Sequence, residues 1–114
     1  MATIDPAALE SLRRFGGEKL LREMTALFLS SAPPRLAAAR SAAAANDAEG
    51  VRRAAHSLKS SAGQLGATAL QGLCDRAELL AAGGSLSQLL PLVAEIEAAF
   101  GVAQSALEEI QNES

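Results

Sequence analysis

The only histidine of the chain, His56, lies in a segment whose residue types could support phosphoryl chemistry. Arg52 and Arg53 come one helical turn before it, and Lys59 follows three residues later. These cations disfavour a protonated imidazole, so we expect a neutral and nucleophilic ring nitrogen near neutral pH. The same cations would stabilise the oxygens of a phosphoryl group once it is attached. The segment therefore fits a histidine that accepts a phosphoryl group.

The helical position of His56 predicts that its imidazole is exposed. With about 3.6 residues per turn, the apolar residues of this helix share one seam, formed by Val51, Ala55, Leu58, Ala62 and Leu65. His56 lies well away from that seam, near Lys59, Ser60 and Gly63. A glycine inside a helix costs about 1 kcal/mol relative to alanine, and small residues here would leave room for a docking partner. The alternative interpretation is a solvated surface histidine without a function.

The segment AAHSLKSSAGQLGATAL resembles the signature of histidine phosphotransfer (HPt) domains, the intermediates of two-component phosphorelays. The family pattern reads roughly A-H-x-L-K-G-x-x-G/A-x-x-G-x-x-x-L, and the residues that match it are Ala55, His56, Leu58, Lys59, Gly63, Gly66 and Leu70. Ser60 departs from the pattern, because the family most often has glycine there. We expect this serine to reduce the clearance for a partner without abolishing function. The resemblance extends more loosely over LxxxMxxLFLxxAPxRL and the later leucine-rich helices, and so covers most of the chain.

That resemblance implies a role for each matched residue. His56 would accept a phosphoryl group from the phospho-aspartate of one receiver domain and pass it to the aspartate of another. The receivers would belong to hybrid sensor kinases and response regulators, and they would supply Mg²⁺, with no cofactor bound by this chain. Electrostatic support of the phosphate is expected from Lys59 and Arg52. The docking surface and its clearance are expected from Ser60, Gly63, Gln64 and Gly66, of which Gly66 should also end the helix.

Two other functions stay open at this point. A helical module that binds receivers without accepting phosphate would be consistent with Ser60. The phosphoacceptor domain of a chemotaxis-type kinase would need a separate kinase partner or a longer chain. No G-x-x-x-x-G-K-[ST] loop is present, so we expect a phosphoryl carrier without ATP-dependent kinase activity of its own. The one histidine, His56, and the one cysteine, Cys74, lie eighteen residues apart and form no zinc motif, so we expect no metal site.

The composition predicts an all-α protein. Hydrophobic residues make up 49% of the 114 residues and aromatic residues only 3%. Most of the hydrophobic residues are alanine or leucine, both strong helix formers. The net charge is −3, but all ten lysines and arginines lie at or before Arg76. A negative net charge disfavours nonspecific binding to nucleic acid. Any basic surface must therefore belong to the first two thirds of the chain.

The sequence also predicts a monomer in the cytoplasm without membrane insertion. No charge-free apolar segment approaches the roughly 20 residues that span a bilayer. The N-terminus lacks the basic and apolar stretches of a signal peptide. The single Cys74 falls on an apolar helical seam, so we expect it to be buried and to suit a reducing compartment.

Helix start and stop signals predict the elements that position His56. A short helix from Asp5-Pro6 to Gly16-Gly17 is expected first, followed by a helix over 18–31 in which Leu20, Met24, Leu27, Phe28 and Ser31 fall at helical spacing. A break or kink at Pro33-Pro34 should separate it from a helix over about 34–45. The phosphoacceptor helix over about 47–65, capped by Asn46, comes next, then a helix from Thr68 to Gly83-Gly84 and a last helix from Ser85. Short connections imply antiparallel neighbours. We therefore predict one domain over 1–114, an antiparallel four-helix bundle with one or two additional short helices.

Overall fold

The computed structural model describes residues 3–112, which form four long helices and contain no strand. The elements in chain order are α1 (Pro6–Ala44), α2 (Ala48–Gln64), α3 (Thr68–Ala82), a 3₁₀ turn (Leu86–Gln88) and α4 (Leu89–Asn112). α1 packs on α2 and α4, and α3 packs on the same two helices. This ring of neighbouring helices, joined by short connections, confirms the predicted all-α four-helix bundle.

The N-terminal arm of α1, residues 6–16, is the additional short helix. The arm and the rest of α1 meet at Gly17, whose φ of 71° and ψ of −167° lie outside the helical region. Asp5 caps the arm, because its carboxylate accepts the N–H of Ala7 at 3.0 Å. The backbone N–H of Asp5 in turn donates to the carbonyl of Gly66 at 2.8 Å. The arm is thereby tied to the end of α2, the helix that carries His56.

Of the break or kink predicted at Pro33-Pro34, the break is wrong, because α1 continues through both prolines to Ala44. Each proline removes a backbone donor, which leaves a carbonyl of the preceding turn without its helical partner. Both prolines are exposed, so water can satisfy those carbonyls. On the opposite side of the helix, Phe28, Ala32 and Leu36 are buried in the core. Continuous packing of this apolar side outweighs the two lost hydrogen bonds.

The start of α2 differs by one residue from the predicted cap. Asn46 is not the N-cap of α2; it follows the end of α1 by two residues and has a φ of 57°. The cap is Asp47, whose Oδ1 accepts the N–H of Gly50 at 3.0 Å. The helices predicted from Thr68 and Ser85 do start near these residues, but neither start has a side-chain capping hydrogen bond. α3 begins with Thr68 itself, and Ser85 precedes the 3₁₀ turn.

Three connections of the bundle end the preceding helix in the same way. A residue with positive φ follows α1, α2 and α3, at Asn46 (57°), Gly66 (75°) and Gly84 (76°). The next N–H then bonds back into the last helical turn, from Asp47 to Ala42, from Ala67 to Ala62 and from Ser85 to Leu80, at 2.8, 2.9 and 3.0 Å. These compact reversals place consecutive helices side by side.

The core fills the space between the four helices. Its largest fully buried side chains are Leu58, Leu65, Leu70, Leu89, Ile96, Leu107, Val51, Val93 and Cys74. Burial of each large aliphatic side chain stabilises the fold by about 1.5–3 kcal/mol. Phe28 of α1 and Phe100 of α4 pack edge to face, with ring centroids 5.6 Å apart. Burial raises the pKa of the Cys74 thiol to about 12, which confirms the prediction of an apolar packing residue.

One segment of the described chain, Leu86–Asn112, is long and apolar enough to be considered as a membrane span, with a mean hydropathy of 1.4 over its most apolar 18 residues. Its apolar stripe includes Val93, Ile96 and Leu107, and all three are buried against the other helices. The core helix of a bundle has the same length and composition. The buried stripe of α4 is the pattern expected of such a helix.

Candidate functional site around His56

His56 projects from the outer face of α2, as the helical spacing predicts. Its side chain is 63% exposed, whereas Ala55 and Leu58 on the inner face are buried. The seam that contains Ala55 and Leu58 anchors α2 against α1 and α3. Packing of one side of the helix thus holds the imidazole on the surface.

A carboxylate from the neighbouring helix contacts the imidazole. Oε1 of Glu78, on α3, lies 3.1 Å from Nδ1 of His56. The same oxygen lies 2.9 Å from Nζ of Lys59, which also reaches Oδ1 of Asp75 at 3.4 Å. The site is therefore a connected cluster of two helices: His56 and Lys59 from α2, and Asp75 and Glu78 from α3.

The charge state of Glu78 determines how it can bind the ring. Partial burial alone would raise the pKa of the Glu78 carboxyl, but hydrogen bonds from Lys59 and His56 outweigh burial and hold that pKa below its usual value. The carboxylate is therefore ionised near neutral pH and can only accept hydrogen bonds. Its contact with His56 requires the imidazole proton on Nδ1. Nε2 has no hydrogen-bond partner among residues 3–112, and in the neutral form of this ring it carries the lone pair.

The expected electrostatic surroundings of the imidazole need correction. Arg52, predicted to support a phosphate, is paired with Glu49, with Nη2 and Oε1 2.6 Å apart. Lys59 is bound by Glu78 and Asp75. The charged group in direct contact with the ring is therefore a carboxylate. Of the three nearby cations, Arg52 is paired with an acid of α2 and Lys59 with acids of α3.

The predicted docking residues divide into two exposed ones and two that pack within the protein. Ser60 and Gln64 are exposed on α2, as a docking surface requires. Gly63 instead accommodates Gln71 of α3, since a Cβ at Gly63 would lie 2.6 Å from the Gln71 amide nitrogen. Gly66 is buried, and a Cβ there would lie 2.6 Å from the carbonyl oxygen of Asp5. Gly63 and Gly66 thus both have a packing role within the protein, and their role in clearance for a partner stays a prediction.

Two large apolar side chains beside Gln64 were not expected on this surface. Phe15 of the N-terminal arm is 90% exposed and Leu27 of α1 is 60% exposed. Phe15 and Gln64 line one surface depression, while Leu27 and Gln64 line another. Leu27, which falls at helical spacing with Met24 and Phe28, is therefore not part of the core. Phe15 and Leu27 lie on two sides of Gln64, which comes two helical turns after His56.

A sequence signal for Glu78 exists in the pattern of α3. The buried residues Leu70, Cys74 and Ala77 define the inner seam of that helix. Glu78 follows Cys74 by four residues, so it lies at the edge of the seam, beside the adjacent helix. An acidic residue at such an edge can reach across to a cation. This relationship becomes visible only once α2 and α3 are known to be neighbours.

Comparisons with known proteins agree with this fold. The profile of the Hpt domain family matches residues 23–113. The crystal structure of histidine-containing phosphotransfer protein B (HptB) from Pseudomonas aeruginosa PAO1 is similar, with a TM-score of 0.92 and 26% sequence identity. That match covers 98% of this chain and 96% of the other. No curated protein sequence matches the chain.

Proposed function

The chain belongs to the Hpt domain family and is a histidine phosphotransfer protein of two-component phosphorelays, and from this premise we propose that His56 is its phosphoacceptor. The observation that carries the assignment is that the only histidine of the chain stands exposed on α2. Its Nε2 lone pair is directed away from Glu78, into the solvent from which a partner would approach. Nε2 is accordingly the nitrogen proposed to bond to phosphorus.

Hpt proteins act with receiver domains, and the partners proposed here are receivers of hybrid sensor kinases and response regulators. A phospho-aspartate of one receiver would present its phosphorus in line with Nε2, and the aspartate of a second receiver would later take the phosphoryl group. Mg²⁺ would be held by the receiver, where it offsets the charge on the transferred group. Among residues 3–112, no group of three or more potential ligands is arranged to bind a metal ion.

The proposed docking surface comprises His56, Ser60, Gln64, Phe15 and Leu27. Phe15 and Leu27 supply apolar area that is unfavourably exposed to water in the free protein. Ser60 and Gln64 supply polar contacts between that area and the imidazole. A receiver that covers this surface would exclude water from the phosphoryl group during transfer.

Hpt domains are phosphocarriers, and we extend this to propose that the chain has no ATP-dependent kinase activity and works in the cytoplasm. The bundle offers a nucleophile and a surface for a partner. The donor phosphoryl group would come from a receiver.

The test is incubation with a purified, phosphorylated receiver domain. The expected product is an acid-labile, base-stable phosphoprotein, and His56→Gln should abolish it while leaving the urea unfolding midpoint close to that of the wild type. Labelling that persists in His56→Gln would overturn the assignment. Receiver binding without any transfer by the wild type would instead identify a binding module, and labelling only by ATP with an isolated kinase core would identify a kinase phosphoacceptor domain.

A further inference from the structure

We propose that Glu78 is a positioning residue that keeps the Nδ1 proton on His56 throughout the transfer, so that the phosphorylated ring can leave as neutral imidazole. This inference rests on the proposed role of His56 and concerns what happens after Nε2 has received the phosphoryl group. Its basis is the 3.1 Å contact between Nδ1 and Oε1 of Glu78, on the side of the ring opposite Nε2.

The first transfer needs no proton to move. The Nε2 lone pair attacks phosphorus, the bond between phosphorus and the aspartyl oxygen breaks, and the aspartate leaves as a carboxylate. The ring keeps its proton on Nδ1 and gains a positive charge as the bond from Nε2 to phosphorus forms. The carboxylate of Glu78 faces that proton and stabilises the charge.

The second transfer depends on the same proton. An aspartate oxygen of the next receiver attacks phosphorus, and the bond from Nε2 to phosphorus breaks with its electron pair returning to Nε2. If Nδ1 still carries its proton, the leaving group is neutral imidazole. If Nδ1 has lost it, the leaving group is an imidazolate anion, which is far more basic and leaves far more slowly. Retention of the Nδ1 proton therefore determines how readily the carrier releases its phosphoryl group.

The surroundings of His56 favour Glu78 as the group that retains the proton. On α2, Lys59 is held by Glu78 and Asp75, Arg52 is paired with Glu49, and Arg53 is exposed. On α3, Glu78 contacts the imidazole, whereas Asp75 reaches only Lys59. Glu78 is only 19% exposed, so water competes weakly for its oxygens. On α1, Arg35 binds Ser31 and makes no contact with the imidazole.

The experiment compares Glu78→Gln with the matched control Asp75→Asn. Each removes one carboxylate from Lys59, but only the first removes the charge that contacts the ring. Each phosphorylated protein is separated from its donor, and the rates of onward transfer and of spontaneous hydrolysis are measured across the pH range. Nitrogen NMR of His56 reports the site of the ring proton before and after phosphorylation.

We expect Glu78→Gln to slow onward transfer about tenfold at mildly alkaline pH, the loss of one charge-assisted hydrogen bond. Its pH profile should move to lower pH, its phosphohistidine should last longer, and NMR should show earlier loss of the Nδ1 proton. Asp75→Asn should follow the wild type in all three measurements. Coincident profiles and NMR signals for the two variants and the wild type would overturn the inference about Glu78, whereas wild-type protein that is never labelled on His56 would overturn the phosphoacceptor assignment itself.

Discussion

Lys59 and Glu78 form an ion pair between α2 and α3, with Nζ 2.9 Å from Oε1. The hydrogen bond from this lysine to Glu78 is also the main reason that the pKa of Lys59 is raised, so the amine stays charged. In the unphosphorylated protein, the cation predicted to meet an incoming phosphate is therefore already bound to a carboxylate. An arriving phosphoryl group would have to compete with Glu78 and Asp75 for it.

Lys59→Glu should slow transfer from a phosphorylated receiver, because it removes this cation and adds a third carboxylate beside Glu78 and Asp75. The part of the defect that arises from long-range steering should shrink when ionic strength rises from about 0.05 M to 0.5 M. The part that arises from lost contact with the phosphoryl group should remain. Single-turnover transfer rates at the two salt concentrations separate these parts.

The control for that charge reversal is Lys19→Glu, which makes the same change at an 85% exposed position on α1. It should leave the transfer rate at high salt unchanged. If Lys59→Glu and Lys19→Glu behave alike at both salt concentrations, Lys59 has no specific role in transfer.

Phe15→Ser should weaken receiver binding without destabilising the bundle. The ring is 90% exposed, so its removal should change the free energy of unfolding by less than about 0.5 kcal/mol. If a receiver buries the ring, the loss should raise Kd about tenfold or more. Titration of the unphosphorylated variant with a labelled receiver measures this change.

Val102→Ser is the matched control, because Val102 is 58% exposed on α4, away from the proposed docking surface. Its Kd should equal that of the wild type. Equal Kd values for Phe15→Ser and the wild type would remove the N-terminal arm from the docking surface.

The sequence was enough to predict that His56 is exposed, because His56 and the apolar seam lie on one helix, where residue spacing determines the direction of each side chain. The exposure of His56, Ser60 and Gln64 depends only on the period of α2. Glu78 was missed because its contact with His56 joins residues 22 positions apart on two helices. Such a contact depends on the rotation of α3 against α2, which the period of either helix leaves undetermined.

The errors in the predicted elements share a physical cause, which is that local signals compete with packing. Pro33-Pro34 has a strong tendency to break a helix, yet the buried side chains before and after it keep α1 continuous. Asn46 and Asp47 are both good capping residues, and the choice between them depends on which one takes the positive φ after α1. The packing of Gln71 against Gly63 was missed because Gln71, on the next helix, could not be placed from the sequence.

Gly66→Ala should destabilise the protein by about 2 kcal/mol or more, because an L residue is strained at positive φ and the new methyl group would meet backbone atoms. The φ of Gly66 is 75°, and the added Cβ would lie 2.6 Å from the carbonyl oxygen of Asp5. Gly72→Ala is the matched control, since a Cβ in this helical position meets nothing within 4 Å. It should stabilise by about 0.5–1 kcal/mol. Urea unfolding measures both variants, and equal midpoints would contradict the proposed close approach of Asp5 to Gly66.

Arg40→Met should make the stability of the fold depend less on pH in the acid range, because it removes the partner of Glu97. Arg40 of α1 binds Glu97 of α4 through two nitrogens, with Nε 3.0 Å from Oε2. Hydrogen bonding from Arg40 is the largest cause that holds the pKa of Glu97 below its ordinary value of 4.5.

A carboxyl with a lowered pKa stabilises the fold above its unfolded-state pKa, and that contribution is lost as pH falls through the folded-state pKa. The wild type should therefore exceed Arg40→Met in urea midpoint at neutral pH, and the two midpoints should converge as the pH falls below the folded-state pKa of Glu97. Arg14→Met, which removes an exposed cation that pairs with no carboxylate of residues 3–112, should give a curve parallel to that of the wild type. A gap between Arg40→Met and the wild type that stays constant from neutral pH to acid would show that the pair does not link α1 to α4 in solution.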